Sequence, residues 1–209
     1  MPKYQLLIFD FDGTLADSAR WMMRTMNEMA DQFGWRKVSD QEIEMLRGKN
    51  NTEIVRYLGV PMWRLPSIAA EMRRRIARDI DQIPLFPGID ELLRSLDEAG
   101  LKLAVVSSNS EANVRRVLGA ENAARIDTFE CSASIFGKAR KLRAVMQRLG
   151  VAPRSTLCVG DETRDIEAAR EVGAASGAVM WGYAAPEILV KFSPTHTFAT
   201  LPEITALAV

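Results

Sequence analysis

Two carboxylates stand two residues apart in Leu6-Leu7-Ile8-Phe9-Asp10-Phe11-Asp12-Gly13-Thr14-Leu15, directly behind four apolar residues. An apolar run that gives way to acid, Gly and Thr describes a buried parallel strand ending in a tight polar turn. In open α/β sheets, ligands bind at that end of a strand. Asp10 and Asp12 repel each other at this spacing unless a cation or a shared proton relieves them, which divides their labour. One stays ionised beside a metal ion and attacks; the other keeps a proton for a leaving group. Phosphoryl transfer is the chemistry this pair suits. The plainer alternative is an acid pair that only caps the next helix, so the rest of the chain has to supply partners.

Three later segments do so. Leu103-Ala104-Val105-Val106 stops at Ser107-Ser108-Asn109 ahead of a helix, where hydroxyls and free backbone N–H groups can hold an anion. The loop Ser134 to Gly137 leads into Lys138 at a helix start, a place where the helix dipole disfavours a cation unless an anion faces it. A phosphate or the Asp10 carboxylate would serve, and Lys141, one turn on, is a possible substitute. The third segment is Leu157-Cys158-Val159-Gly160-Asp161-Glu162-Thr163-Arg164-Asp165, strand, Gly, then acids. Carboxylate oxygens from Asp161 and Asp165, with water and substrate phosphate, are what Mg²⁺ prefers.

Alternating elements must position these groups. After the first strand, apolar residues recur at helical spacing for about seventy residues. Asp17 or Ser18 caps a helix carrying Met22, Met26, Met29 and Phe33 on one face, and that Met stripe reads as core. Ser39 with Glu42 forms a capping box, Asn50 with Glu53 opens another helix, and Ser67 opens one that runs to Ile80. On this last helix Arg73-Arg74-Arg75 lie opposite Ile68, Met72, Ile76 and Ile80, so they read as a solvated face. From residue 85 the pattern becomes helix Ile89–Ala99, strand Lys102–Val106, helix Glu111–Leu118, a helix through Leu142 and Leu149, strand Thr156–Val159, helix Thr163–Val172 and a strand near Ala178–Met180. Alternation of this kind implies a parallel sheet with helical crossovers. The expected architecture is α/β, a Rossmann-like core of residues 1–16 and 85–209 with an inserted all-helical cap of residues 17–84.

Composition narrows the partners. The chain has 209 residues, and its 27 basic and 27 acidic residues cancel, so no nucleic-acid or anionic-membrane partner is expected. Two cysteines make no disulfide framework, no apolar run approaches a membrane span, and a cytoplasmic protein, monomer or homodimer, is expected. The single His196 lies away from every motif.

In this order and spacing, Asp-x-Asp-Gly-Thr, Ser107, Lys138 and Gly-Asp-x-x-x-Asp closely resemble the four motifs of the haloacid dehalogenase superfamily. The inserted helices and Trp181-Gly182-Tyr183 resemble its phosphoglycolate-phosphatase-like branch. The resemblance implies a Mg²⁺-dependent phosphatase acting on a small phosphorylated metabolite, phosphoglycolate-like or a sugar phosphate. Asp10 would form an aspartyl-phosphate, while Asp12 would protonate the leaving alcohol and then activate water. Mg²⁺ would be held by Asp10, the Asp12 carbonyl and Asp161, with Asp165 in support. Ser107, Ser108, Asn109 and Lys138 would bind phosphate, the hydroxyl role falling to Ser107 because it directly follows the apolar run. The stretch Arg47-Gly48-Lys49-Asn50-Asn51-Thr52 resembles the family's substrate-selecting cap loop, with Arg47, Lys49 and Asn50 facing an acidic substrate group. Dehalogenation would not need Asp12, and a phosphonate hydrolase would need a cap lysine such as Lys49. A hexose-phosphate mutase and a non-catalytic phosphometabolite-binding protein remain as alternatives.

Overall fold

In a computed structural model, which describes residues 3–49, 51–131 and 137–208, six strands form one parallel sheet in the order β3-β2-β1-β4-β5-β6. These are β1 (Leu6–Phe9), β2 (Lys102–Ser107), β3 (Thr128–Cys131), β4 (Thr156–Gly160), β5 (Ala175–Val179) and β6 (His196–Phe198). Period-two alternation explains why the central strands are apolar throughout. Leu7 and Phe9 of β1 join Leu103, Val105, Leu157 and Val159 on one face, and Leu6 and Ile8 join Ala104, Val106 and Cys158 on the other.

Helices cover both faces. On the first pack α5 (Ile89–Glu98), α6 (Glu111–Ala124) and α10 (Leu201–Ala208); on the second, α7 (Lys138–Leu149) and α8 (Thr163–Val172). A short α9 (Pro186–Lys191) precedes β6. The helix starting at Glu111 runs past Leu118, because Gly119 (φ 74°) interrupts it and a further stretch follows to Ala124. The last sheet-flanking strand read from the sequence begins earlier, at Ala175.

Between β1 and residue 85 the described residues form four α-helices, α1 (Ala19–Phe33), α2 (Asp40–Arg47), α3 (Asn51–Tyr57) and α4 (Leu65–Asp79), and two short 3-10 turns. They gather their own apolar cluster around Met29, Ala30, Trp35, Leu46, Leu58 and Ile68. Trp21 of α1 and Ile76 of α4 instead join the cluster on the sheet. Two chain segments make the connection, and they are tied together: Asp17 donates its amide to the Pro84 carbonyl at 2.8 Å, and Phe86 to that of Leu15 at 2.9 Å.

Local signals account for most of these ends. Ser39 and Glu42 form the expected capping box, with Ser39 accepting from the Glu42 amide and Glu42 from the Ser39 amide. Three sequence expectations need correction. Ser67 does not open α4, which starts at Leu65 with Pro66 in its first turn; the Ser67 hydroxyl donates back to the Arg64 carbonyl. Arg75 is not solvated, since it bridges Glu71 of its own helix and Glu28 of α1, and so pins two helices together. Ser18 stands at the start of α1 but makes no capping bond with its side chain. Asn50 and Ser134 lie outside the described residues.

Candidate active site

β1 lies between β2 and β4, at the point where the strand order reverses, so its carboxyl end opens into the crevice between two diverging connections. Asp10 extends the ladder by donating its amide to the Val159 carbonyl at 2.8 Å. The chain then turns around Phe11, whose carbonyl accepts from the amides of Thr14, Leu15 and Ala16. Gly13 occupies this turn at φ +79°, and a Cβ there would stand 2.3 Å from Asp161 Oδ2. Backbone conformation and space both demand glycine.

Asp161 follows the end of β4 and is fully buried. Its Oδ1 accepts from Thr14 Oγ1 at 2.9 Å and its Oδ2 from the Tyr183 amide at 2.7 Å. Gly182 presses from the other side, where a Cβ would come within 2.2 Å of Asp161 Cβ. Two glycines therefore clasp one carboxylate. Asp165, in the first turn of α8, accepts from the Glu162 amide at 3.0 Å, and α8 itself begins only at Thr163. Lys138, the first residue of α7, places Nζ 3.1 Å from Asp10 Oδ2 and 2.5 Å from Asp165 Oδ1. The anion that a lysine at a helix N-terminus requires is thus present. Lys141 points elsewhere, donating to the Ser107 carbonyl at 3.0 Å.

The electrostatics of this cluster call for a cation. Burial, reinforced by Glu162, Asp10 and Asp165, pushes the Asp161 carboxyl well above the usual range. Burial would raise Asp165 as well, but Lys138 and Arg164 outweigh it and hold Asp165 low. Burial tends to lower Lys138; Asp10 and Asp165 overcome that and leave it raised. One carboxylate oxygen from each of Asp10, Asp161 and Asp165 lies within 4.8 Å of the others. A set of hard, buried oxygen donors with surplus negative charge fits Mg²⁺.

Asp12 is held differently. Its Oδ1 accepts from Ser18 Oγ at 3.0 Å and its Oδ2 from Asn109 Nδ2 at 3.4 Å, both neutral groups. Burial, with the Asp10 charge next, pushes Asp12 up to about 6. Ser107 closes β2 and is buried, its Oγ accepting from the Asn109 amide at 3.0 Å; Ser108 is half-buried. Asn109 Oδ1 in turn accepts from the Ser110 amide and Asn113 Nδ2, which locks the side chain that faces Asp12.

The structure thus brings Asp10, Asp12, Ser107, Asn109, Lys138, Asp161 and Asp165 to one edge of the sheet. Sequence reasoning missed Thr14, Ser18 and Tyr183. Ser18 bonds Asp12 and also Tyr183 Oη, at 2.5 Å, although its sequence signal is that of a helix cap. Of the cap residues, Arg47 and Lys49 both line a cleft of about 1000 Å³ between the helices of residues 17–84 and the 181–184 segment. Met22 and Met26 edge it too, while packing, as expected of the Met stripe, against the apolar clusters beneath. The Arg47 guanidinium is already engaged, with the carbonyls of Tyr183 (3.1 Å) and Gly182 (3.3 Å) and with Glu44.

A parallel sheet in this order, with acids and a lysine at the ends of β1, β4 and the start of α7, defines a class, and the chain belongs to it: residues 7–179 match the family of haloacid dehalogenase-like hydrolases. Among its relatives, a phosphoglycolate phosphatase of Synechococcus elongatus is 34% identical over 94% of this chain and 93% of its own length. The tyrosine-protein kinase PtkA of Mycobacterium bovis is 30% identical over 91% of this chain and 67% of its own. A haloacid dehalogenase-like hydrolase from Streptococcus pneumoniae has the same fold, with a TM-score of 0.81 at 22% identity over 98% of each chain. No helix among the described residues is long and apolar enough to cross a membrane.

Proposed function

We propose that the protein is a Mg²⁺-dependent phosphatase that hydrolyses a small phosphorylated metabolite through a phosphorylated Asp10. The observation that carries this reading is the asymmetry of the two carboxyls on the β1 turn. Asp10 is paired with Lys138, whereas Asp12 is bonded to neutral Ser18 and Asn109 and pushed up to about 6. Two neighbouring acids with such different partners divide into nucleophile and proton donor.

In the first step an Asp10 oxygen bonds to phosphorus as the ester oxygen leaves, and Asp12 gives that oxygen its proton. Asp12, now ionised, takes a proton from water as the water oxygen attacks phosphorus and releases Asp10. Lys138, Ser107 Oγ and the Ser108 amide hold the phosphoryl oxygens, the Asn109 amide being donated to Ser107 Oγ; charge stabilisation of this kind supplies most of the catalysis in phosphoryl transfer. Asp10, the Asp12 carbonyl and Asp161 would hold Mg²⁺, with Asp165 in support. When bound, the ion neutralises negative charge between nucleophile and phosphate.

The inserted helices, residues 17–84, act as a cap over this edge, and Lys49 offers a positive charge to the substrate's leaving portion. The 34% identity to a phosphoglycolate phosphatase supports a phosphorylated acid as substrate. A cleft of about 1000 Å³ lies beside this edge, lined by Lys49, Glu162 and Tyr183. The test is phosphate release from an aryl phosphate, 2-phosphoglycolate and a panel of sugar phosphates, with Mg²⁺ or chelator. The expected result is metal-dependent release that falls by about 10³-fold or more in Asp10→Asn. Metal-independent release, or release that survives in Asp10→Asn, would overturn the mechanism.

A further inference from the structure

We infer that Arg47 is a positioning residue, a latch by which the inserted helices set both the metal-binding carboxylate and the acid–base carboxylate. This rests on the reading above that Asp161 binds the metal and Asp12 transfers the proton.

Arg47 is the last residue of α2, yet it reaches across to the loop that follows β5. Nε donates to the Tyr183 carbonyl and Nη2 to the Gly182 carbonyl, and the Arg47 carbonyl accepts from the Ala185 amide at 2.8 Å. Three hydrogen bonds from one residue therefore hold the 182–185 segment against the helical insert. Glu44, one turn back on α2, pairs with Nη1 and fixes the guanidinium plane. A planar fork with its donors spent on two successive carbonyls has little left for a substrate carboxylate.

What the latch grips is the segment that touches both acids. Gly182 packs against Asp161 so closely that no Cβ would fit, and the next amide, that of Tyr183, donates to Asp161 Oδ2. From the same residue, Tyr183 Oη meets Ser18 Oγ, which donates to Asp12 Oδ1. Arg47 thus connects to Asp161 through one backbone amide and to Asp12 through two hydroxyls. Removing the latch frees the segment to shift, and groups that orient a metal ligand typically change metal affinity 10–100-fold.

The experiment compares wild type, Arg47→Met, Arg47→Lys and Tyr183→Phe by calorimetric Mg²⁺ titration without substrate and by kcat and KM on an aryl phosphate. Arg47→Met keeps the apolar stem and loses the fork. It is expected to weaken Mg²⁺ binding by about tenfold and to lower kcat by a similar factor, with KM changed less than about twofold. Arg47→Lys, which retains a donor for one carbonyl, recovers part of both, and it takes over the test should the Met variant not fold. Tyr183→Phe keeps the amide to Asp161, so it lowers kcat and leaves Mg²⁺ affinity unchanged. Unchanged Mg²⁺ affinity in Arg47→Met, with KM raised and kcat intact, would overturn the latch and make Arg47 a substrate ligand. Wild-type protein that binds Mg²⁺ but releases no phosphate, with binding still weakened in Arg47→Met, would sink the phosphatase reading and leave the latch standing.

Discussion

Asp12 shows how much a single side chain depends on its surroundings. A carboxyl moved from a usual value of 3.8 to about 6, chiefly by burial and then by Asp10, is ionised in the folded protein only against opposition. The sign follows from linkage. Because the folded value is the higher one, the carboxyl's contribution to stability is fully present below about pH 4 and is lost as pH rises through about 6. A rise of this size costs the folded protein roughly 3 kcal/mol at neutral pH. In metal-free protein, Asp12→Asn should therefore raise the melting temperature relative to wild type by several degrees at pH 7 and hardly at all at pH 4. Thermal melts across that range check it, and a difference that is flat with pH would count against a raised Asp12. Which carboxyl pairs with a lysine and which with neutral groups was not legible in the pair Asp10-Phe11-Asp12, because identical residues two apart acquire different neighbours only on folding. Lys138 comes from α7 and Asn109 from the turn before α6, 128 and 97 residues away respectively from the acids they touch.

Among the elements, turns rather than helices shape the site. Gly182 has an ordinary backbone conformation, so its size alone matters, and nothing local in Trp181-Gly182-Tyr183 says so. Gly182→Ala should keep the fold yet displace Asp161, weakening Mg²⁺ binding by about tenfold or more, as expected when a group fixing a metal ligand moves. A calorimetric titration decides it; wild-type affinity in the variant would mean the loop yields without consequence. The same logic explains which elements were readable. The runs before Asp10, Ser107 and Asp161 are central strands buried on both faces, which makes them continuously apolar. Edge strands β3 and β6 are four and three residues long and mix Thr, Glu and His with Phe, so periodicity had nothing to register. Ser18 reads as a cap because Ser before a helix usually is one, and here a tertiary acceptor, Asp12, competes successfully for its hydroxyl.

Over the whole molecule, the buried like charges at one edge of the sheet work against the apolar clusters that stabilise the fold. Asp10, Asp161 and Asp165 are each at most 5% exposed, with Glu162 next to them and Lys138 and Arg164 as the facing cations. A ligand that binds only the folded state stabilises it by mass action, so Mg²⁺ at a hundredfold over its dissociation constant should add about 2.7 kcal/mol and raise the melting temperature. Chelator should reverse the rise, and Asp161→Asn should abolish it; an equal rise in that variant would place the ion elsewhere. Sequence alone determined the parallel sheet and the run of helices between β1 and residue 85, and it singled out the four segments whose Asp10, Ser107, Lys138 and Asp161 the fold gathers at one edge of the sheet. Those features are written in periodicity, glycines and acids that act within a few residues of one another. Only tertiary structure decided that Lys138 rather than Lys141 faces Asp10, that Asn109 and Ser18, the latter backed by Tyr183, hold Asp12, and that Arg47 binds the segment beside Asp161. The physical reason is that a side chain's partner is chosen by which distant strand ends and loops the sheet order makes adjacent, and no local pattern encodes that adjacency.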